Sequence, residues 1–251
     1  MDEADLPHRL SRITTCWSLV FQAHRGHADA AGLAQQALVQ RYCGAIYRYL
    51  LGALRDPDAA DDLSQEFALR LVRGDFKNAD PGRGRFRDFV RTALFHLIVD
   101  YQKRRRAGPQ ALPDDHPEQA AESVLLTSDR EFLARWREEL LDRAWEGLAE
   151  MEREAKQPYY TVLRFRAEHP EMRSAEMARQ LGERVGRPLT DSGVRQVLHR
   201  ARDRFADLLL DEVARSLQST EADRLEQELI DLDLLPYCRP ALDRYGRQPR
   251  T

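Results

Sequence analysis

Four polar side chains, Ser192, Arg195, Gln196 and His199, recur at helical spacing in a stretch whose apolar residues fall elsewhere on the turn. At about 100° per residue, Val194, Leu198 and Ala201 make one stripe and the four polar residues project from the opposite side. Arginine pairs bidentately with guanine and glutamine with adenine, so these types at this spacing suit the reading of base edges in a major groove. Arg200, Arg202 and Arg204 flank that face and can hold phosphates. An ordinary helical hairpin with a solvated polar face gives the same pattern. A second cluster runs from Gly82-Arg83-Gly84-Arg85 through Arg87 and Arg91 to Lys103-Arg104-Arg105-Arg106. Glycines let the backbone approach closely, and the cations supply counterion-releasing phosphate contacts. Phe86 and Phe89 either stack on unpaired bases or join an apolar stripe. The third cluster, Asp58-Ala-Ala-Asp61-Asp62-Leu-Ser-Gln65-Glu66, is an acidic first turn or an acidic and polar docking face for another protein. As a metal site it lacks a further ligand at ligand spacing.

The elements that must position these residues are helices. Sustained alternation of β-branched residues is missing, whereas i, i+3, i+4, i+7 spacing recurs. Tyr42, Ile46, Tyr49, Leu50 and Ala53 predict a helix over Gln35–Leu54, ended by Arg55-Asp56-Pro57. Asp58–Arg73 restarts with acid in its first turn, and Gly74 can stop it. Phe86 to Tyr101 carries the cleanest stripe and closes on the basic run. Pro109, Pro113 and Pro117 among acidic residues predict a linker. Ser128 with Glu131 makes a capping-box pair opening a helix to Met151, with Leu133, Trp136, Leu140, Leu141, Ala144 and Leu148 as core. Pro158 suits the first position of a helix over Tyr159–Glu168. Ser174 can cap Ala175–Leu181, closed by Gly182, and Thr190 can cap the helix that follows. A tail helix near Glu221–Leu235, broken by Pro236 and Pro240, carries Leu225, Leu229, Leu232 and Leu235, which either pack on the preceding module or bind a regulator. The fold expected is all-α: a leader helix over 1–34, a helical domain over 35–106, an acidic linker over 107–127, a helix-turn-helix domain over 128–212 and a C-terminal helical extension over 213–251.

Composition narrows the classes. Of 251 residues, 42% are hydrophobic and 32% charged, enough for a core if the charges stay on helix surfaces. The lack of an 18-residue apolar run argues against a membrane span. An acidic start, Met1-Asp2-Glu3-Ala4-Asp5, predicts no secretory signal. Three scattered cysteines, Cys16, Cys43 and Cys238, suit neither a disulfide framework nor a zinc site. A reduced, cytoplasmic protein is expected. With no nucleophile elbow, phosphate-binding loop or zinc-protease motif, neither an enzyme nor a cofactor or metal is expected. The net charge of −3 opposes bulk attraction to nucleic acid, but its distribution is uneven. Residues 81–106 hold eight basic and two acidic side chains, residues 107–160 six and thirteen, and residues 161–210 ten and seven. Arginine far outnumbers the three lysines, which suits phosphate and base contacts and equally follows from a GC-rich genome.

Taken in order, these segments resemble the extracytoplasmic-function group of bacterial RNA polymerase sigma factors. Gln40-Arg41-Tyr42 to Tyr49-Leu50, and then Asp58 to Val72, are similar to the start of that family's region 2. Gly84-Arg-Phe-Arg-Asp-Phe-Val-Arg-Thr-Ala93 to Asp100-Tyr-Gln-Lys-Arg-Arg-Arg106 is similar to its end. Val194-Arg-Gln-Val-Leu-His-Arg-Ala-Arg202 resembles the second helix of region 4, and Thr14-Thr-Cys-Trp-Ser-Leu-Val20 the leader of planctomycete-type members. The resemblance implies a promoter-specificity subunit whose partners are core RNA polymerase and promoter DNA, with an anti-sigma or other regulatory protein as a further partner and no membrane. It places Asp61, Asp62, Gln65 and Glu66 on the polymerase clamp. Arg83, Arg85, Arg87, Arg91, His96, Tyr101, Lys103, Arg104 and Arg105 fall at the −10 element, and Ser192, Arg195, Gln196, His199 and Arg200 at the −35 element. Two positions depart from the family's pattern. His96 stands where many members carry asparagine, which alters the pocket for a flipped base. Glu183–Pro188 lengthen the turn in region 4, which would displace the recognition helix. A net negative chain would grip promoters only with polymerase, and the acidic linker would run in the polymerase's basic channel. The competing expectations are a stand-alone helix-turn-helix regulator using the second domain alone, and a helical scaffold with no nucleic-acid role.

Overall fold

The computed structural model describes residues 42–73, 75–76, 85–106, 117–186, 188–217 and 221–246. The expected leader helix over 1–34, the Thr14–Val20 motif, Gly74, Arg83 and its flanking glycines, and linker residues 107–116 lie outside them. The described residues form nine helices and no strand, so the all-α expectation holds. These are α1 over residues 42–54, α2 (Pro57–Arg73), α3 (Phe86–Arg106), α4 (Pro117–Ala155), α5 (Tyr159–Glu168), α6 (Ser174–Val185), α7 (Asp191–Ser216), α8 (Ala222–Asp231) and α9 (Leu235–Gly246). None of them is long and apolar enough to cross a membrane.

The chain divides into two compact units: one border falls inside α4, between Glu139 and Leu140, and the end of α7 from Ala214 groups with the first unit. In the first, α1 to α3 bury Leu50, Ala60, Leu63, Val90, Leu94 and Leu97 almost completely. Asp56 caps α2: its carboxylate accepts the Ala59 N–H at 3.2 Å, and Pro57 behind it takes the first helical position, where no amide donor is needed. Leading α4 residues complete this core. Trp136 stacks on Tyr42 at 4.7 Å, and Phe132 meets Tyr49 edge-on at 5.3 Å. The Glu139 carboxylate accepts from Arg48 at 2.7 Å, close to where a side chain on Gly44 would sit.

Two expectations about this segment change. The helix expected from Ser128 begins at Pro117, so Ser128 lies inside a helix and is not its cap. Proline is tolerated in a first helical turn, and the Pro117 signal for a linker is here a helix start. Trp136, expected in the core of the second domain, packs with α1, because that helix presents the aromatic partners. The acidic stretch is therefore not a linker throughout, since α4 occupies residues 117–155 of it.

In the second unit, Leu140, Ala144 and Leu148 of α4 are fully buried, as are Val162 of α5, Met177 and Leu181 of α6, and Val194, Ala201 and Leu209 of α7. The start of α5 has no cap of its own. Glu152 of α4 supplies one, accepting the Thr161 N–H at 2.9 Å and its hydroxyl at 2.6 Å. Helix α6 runs past Gly182 and stops at Gly186, which sits at φ 70° in the left-handed region that favours glycine. Ser174 is the first residue of α6 and not its cap, and Arg173 precedes it without a capping side chain. Because α6 absorbs residues as far as Val185, the connection to α7 shortens to residues 186–190, and the long turn expected over Glu183–Pro188 is not there. Thr190 does cap α7, its hydroxyl accepting the Gly193 N–H at 3.1 Å.

The tail helix ends earlier than its leucines suggest. Asp233 adopts φ 53°, and Leu234 N–H reaches back to the Leu229 carbonyl at 2.8 Å, the closing bond of a left-handed helix stop. A second helix, α9, then carries Pro236 in its first turn and continues through Pro240. The tail packs: Leu225, Leu229, Leu232, Leu234, Cys238 and Ala241 are buried, and Cys238 lies against the Ala206 carbonyl of α7.

Two outcomes follow. Trp136→Ala should cost about 3–5 kcal/mol in equilibrium unfolding, whereas Trp136→Phe keeps most of the stacking area. Burial, with Asp207 nearby, pushes the Cys238 thiol up to about 12. The folded state thus keeps a proton that the unfolded thiol loses, so this contribution to stability is whole below about pH 9 and declines as pH rises toward 12. Mass-spectrometric mapping of alkylation should show exposed Cys43 reacting quickly and Cys238 reacting only on unfolding.

Candidate nucleic-acid interface

Helix α7 presents the face its spacing predicts. Val194, Leu198 and Ala201 are 0%, 4% and 0% exposed, while Ser192, Arg195, Gln196, His199, Arg200 and Arg202 all face solvent. Two of the six have carboxylate partners one turn along: Arg195 Nη1 lies 2.7 Å from Asp191 Oδ2, and His199 Nδ1 lies 3.0 Å from Asp203 Oδ2. The helix is anchored beneath by Phe205 against Trp145 at 4.7 Å and by Leu208 against the bare backbone of Gly147. The result is a helix with six exposed polar side chains.

The basic face of α3 is smaller than the sequence suggests. His96, Lys103, Arg104 and Arg105 are exposed, and Arg85, Arg91 and Tyr101 are partly covered. Arg91 pairs with Asp129 of α4 at 3.2 Å. Arg87, expected at the −10 element, is 6% exposed and directed into the fold. Its position explains this, since it precedes Val90 by one turn and Leu94 by two and so falls on the buried stripe. Phe86 is buried against Tyr42, and Phe89 meets Phe76 edge-on at 5.1 Å, so both aromatics go to packing.

On α2, Asp61, Asp62 and Gln65 face solvent as a ridge. Gln65 also borders an apolar cavity of about 200 Å³ formed with Tyr42, Ile46, Phe67 and Phe89. Glu66 is half-buried and shared between Arg70 of its own helix and Arg104 of α3, the latter at 3.3 Å. Asp62 and Glu66 line a shallow depression of about 650 Å³ together with Tyr101, Arg104 and Arg105. Two surfaces assigned to different partners by the sequence therefore meet at one edge. Sequence reasoning missed this junction, because Glu66 and Arg104 lie 38 residues apart and no periodicity links them. It also missed Asp203, Asp207 and Arg244, discussed below.

The first unit is thus all-helical, with an exposed acidic ridge on α2 and an exposed basic end on α3. Residues 38–108, which take in α1, α2 and α3, match the family described as Sigma-70 region 2. The match, which covers under half of the chain, supports a sigma factor role in transcription initiation, and that family implies binding to core RNA polymerase and to promoter DNA. No curated protein and no solved structure matches the chain.

The Glu66 carboxyl is open to a direct check. Burial pushes it up, but the hydrogen bonds from Arg70 and Arg104 outweigh that and hold it below the usual glutamate range. Its contribution to stability is accordingly present above the unfolded glutamate's pKa and lost as pH falls through the folded one. Arg104→Ala should move the Glu66 midpoint upward in a side-chain NMR titration while costing under about 1 kcal/mol, since the Arg104 side chain is 62% exposed.

Proposed function

We propose that this protein is an RNA polymerase sigma factor of the extracytoplasmic-function type, cytoplasmic and planctomycete-like, that directs core polymerase to a specific set of promoters. What carries this reading is the pairing, on one chain, of a Sigma-70 region 2 match with a separate helix-turn-helix whose second helix exposes Ser192, Arg195, Gln196, His199 and Arg200. Asp61, Asp62, Gln65 and Glu66 bind the clamp of the polymerase. Arg85, Arg91, His96, Tyr101 and Lys103 to Arg105, with Arg83, act at the −10 element. Arg87 is no longer among the DNA contacts. The α7 face reads the −35 element in duplex form, and residues 35–106 make the region 2-like domain, with Phe132 and Trp136 of α4 completing the core of its described helices. An anti-sigma or other regulatory protein is a further partner.

Run-off transcription with core polymerase and a randomised promoter library tests this. Promoter-dependent stimulation is expected. Joint reversal of Asp61 and Asp62 to arginine should weaken co-purification with core polymerase without lowering the melting temperature. Arg195→Ala should cost about 1–3 kcal/mol of discrimination at one upstream base pair while leaving polymerase binding intact. Failure to stimulate any promoter would overturn the proposal. Tight, dimeric duplex binding without polymerase would favour a stand-alone regulator instead.

A further inference from the structure

We infer that Arg244, carried by the C-terminal helix α9, is a positioning residue for duplex reading, acting through Asp203 on His199 of α7. This rests on the reading of α7 as the helix that enters the DNA. His199, Asp203 and Asp207 stand four residues apart along one line of α7. Their side-chain exposure falls along that line, from 80% to 37% to 11%, as the tail comes to cover the helix. Arg244 meets this line from α9: its Nη2 donates to Asp207 Oδ1 at 2.6 Å, and its Nη1 lies 3.8 Å from Asp203 Oδ1. Asp203 Oδ2 in turn lies 3.0 Å from His199 Nδ1, and Arg204 approaches Asp207 at 3.8 Å.

Two consequences follow for recognition. Two carboxylates beside a face that must approach phosphates would repel them, and Arg244, itself only 23% exposed, offsets that charge. A neutral imidazole that turns its Nδ1–H toward that carboxylate presents a bare Nε2 at its outer edge. That nitrogen is an acceptor, and in the major groove it matches the exocyclic amino group of adenine or cytosine. The tail is thus more than packing. It fixes what kind of base the middle of the recognition helix accepts.

The test uses the full chain with core polymerase and a promoter library randomised through the upstream duplex element, comparing wild type with Arg244→Gln, Arg244→Lys, His199→Ala and the double variant Arg244→Gln with His199→Ala. The wild type should select adenine or cytosine at one position, and His199→Ala should abolish that preference. Arg244→Gln should weaken duplex affinity about threefold and blunt the same position only. Arg244→Lys should restore part of it, and the double variant should select no worse than His199→Ala at that position. Purely structural loss would instead lower affinity at all positions, and additivity with His199→Ala or an unchanged preference in Arg244→Gln overturns the inference. If Arg244→Gln melts early, Asp203→Ala, which leaves the Arg244–Asp207 pair in place, must blunt that preference for the inference to stand. A wild type that selects no upstream element at all overturns the reading of α7 itself, a result distinct from the others.

Discussion

A single apolar line along α4 supplies part of the core of each of the two units. Phe132, Trp136, Leu140, Ala144 and Leu148, four residues apart, are each 2% exposed or less. The first two close the core of α1 to α3, and the last three lie in the core of the helix-turn-helix unit. Gly147 is the weak point in propensity, costing about 1 kcal/mol against alanine. It is explained by the neighbour it admits, since a side chain there would press the Leu208 methyls at 3.2 Å.

Much of this was legible in the residues themselves. The period of α3 and of α7 up to Arg202 separated most buried from exposed positions, because these stretches have one apolar side and one wet one; from Phe205 on, α7 is buried nearly all round, Asp211 and Glu212 included. Thr190 marked the start of α7, and Tyr159–Glu168 appeared with its expected bounds. What escaped was decided by partners distant in sequence. Arg87 looked like one more cation in a basic run, yet helix phase put it inside. Ser128 and Glu131 had the spacing of a cap, but the helix had already begun. Gly182 looked like a stop and was overridden, since Gly186 was available one turn later at the required left-handed backbone. The Glu66–Arg104 and Asp203–Arg244 pairs join elements whose approach only the folded chain reveals.

The charge pattern also changes meaning in three dimensions. A net charge of −3 spread evenly would merely discourage nucleic acid. Here carboxylates sit directly on the cations that face outward: Asp129 on Arg91, Glu66 on Arg104 and Asp191 on Arg195. Under the proposed function a phosphate would have to compete with a neighbour already in place, so random DNA would gain less from these arginines than their number suggests. Glu139 and Glu152 do something different, since they tie α4 to α1 and α5.

If α7 reads duplex DNA as proposed, the Asp191–Arg195 contact has a consequence for selectivity. An arginine that waits in water loses ordered solvent whichever base it meets, and it discriminates only by the quality of the new contact. One that already rests on a carboxylate 2.7 Å away has an alternative berth. Faced with a base edge that cannot offer two acceptors, the side chain stays home, and the mismatched sequence receives neither charge nor hydrogen bond from it. Discrimination then becomes a contest between two occupied states of one side chain, decided by fit and not by attraction alone.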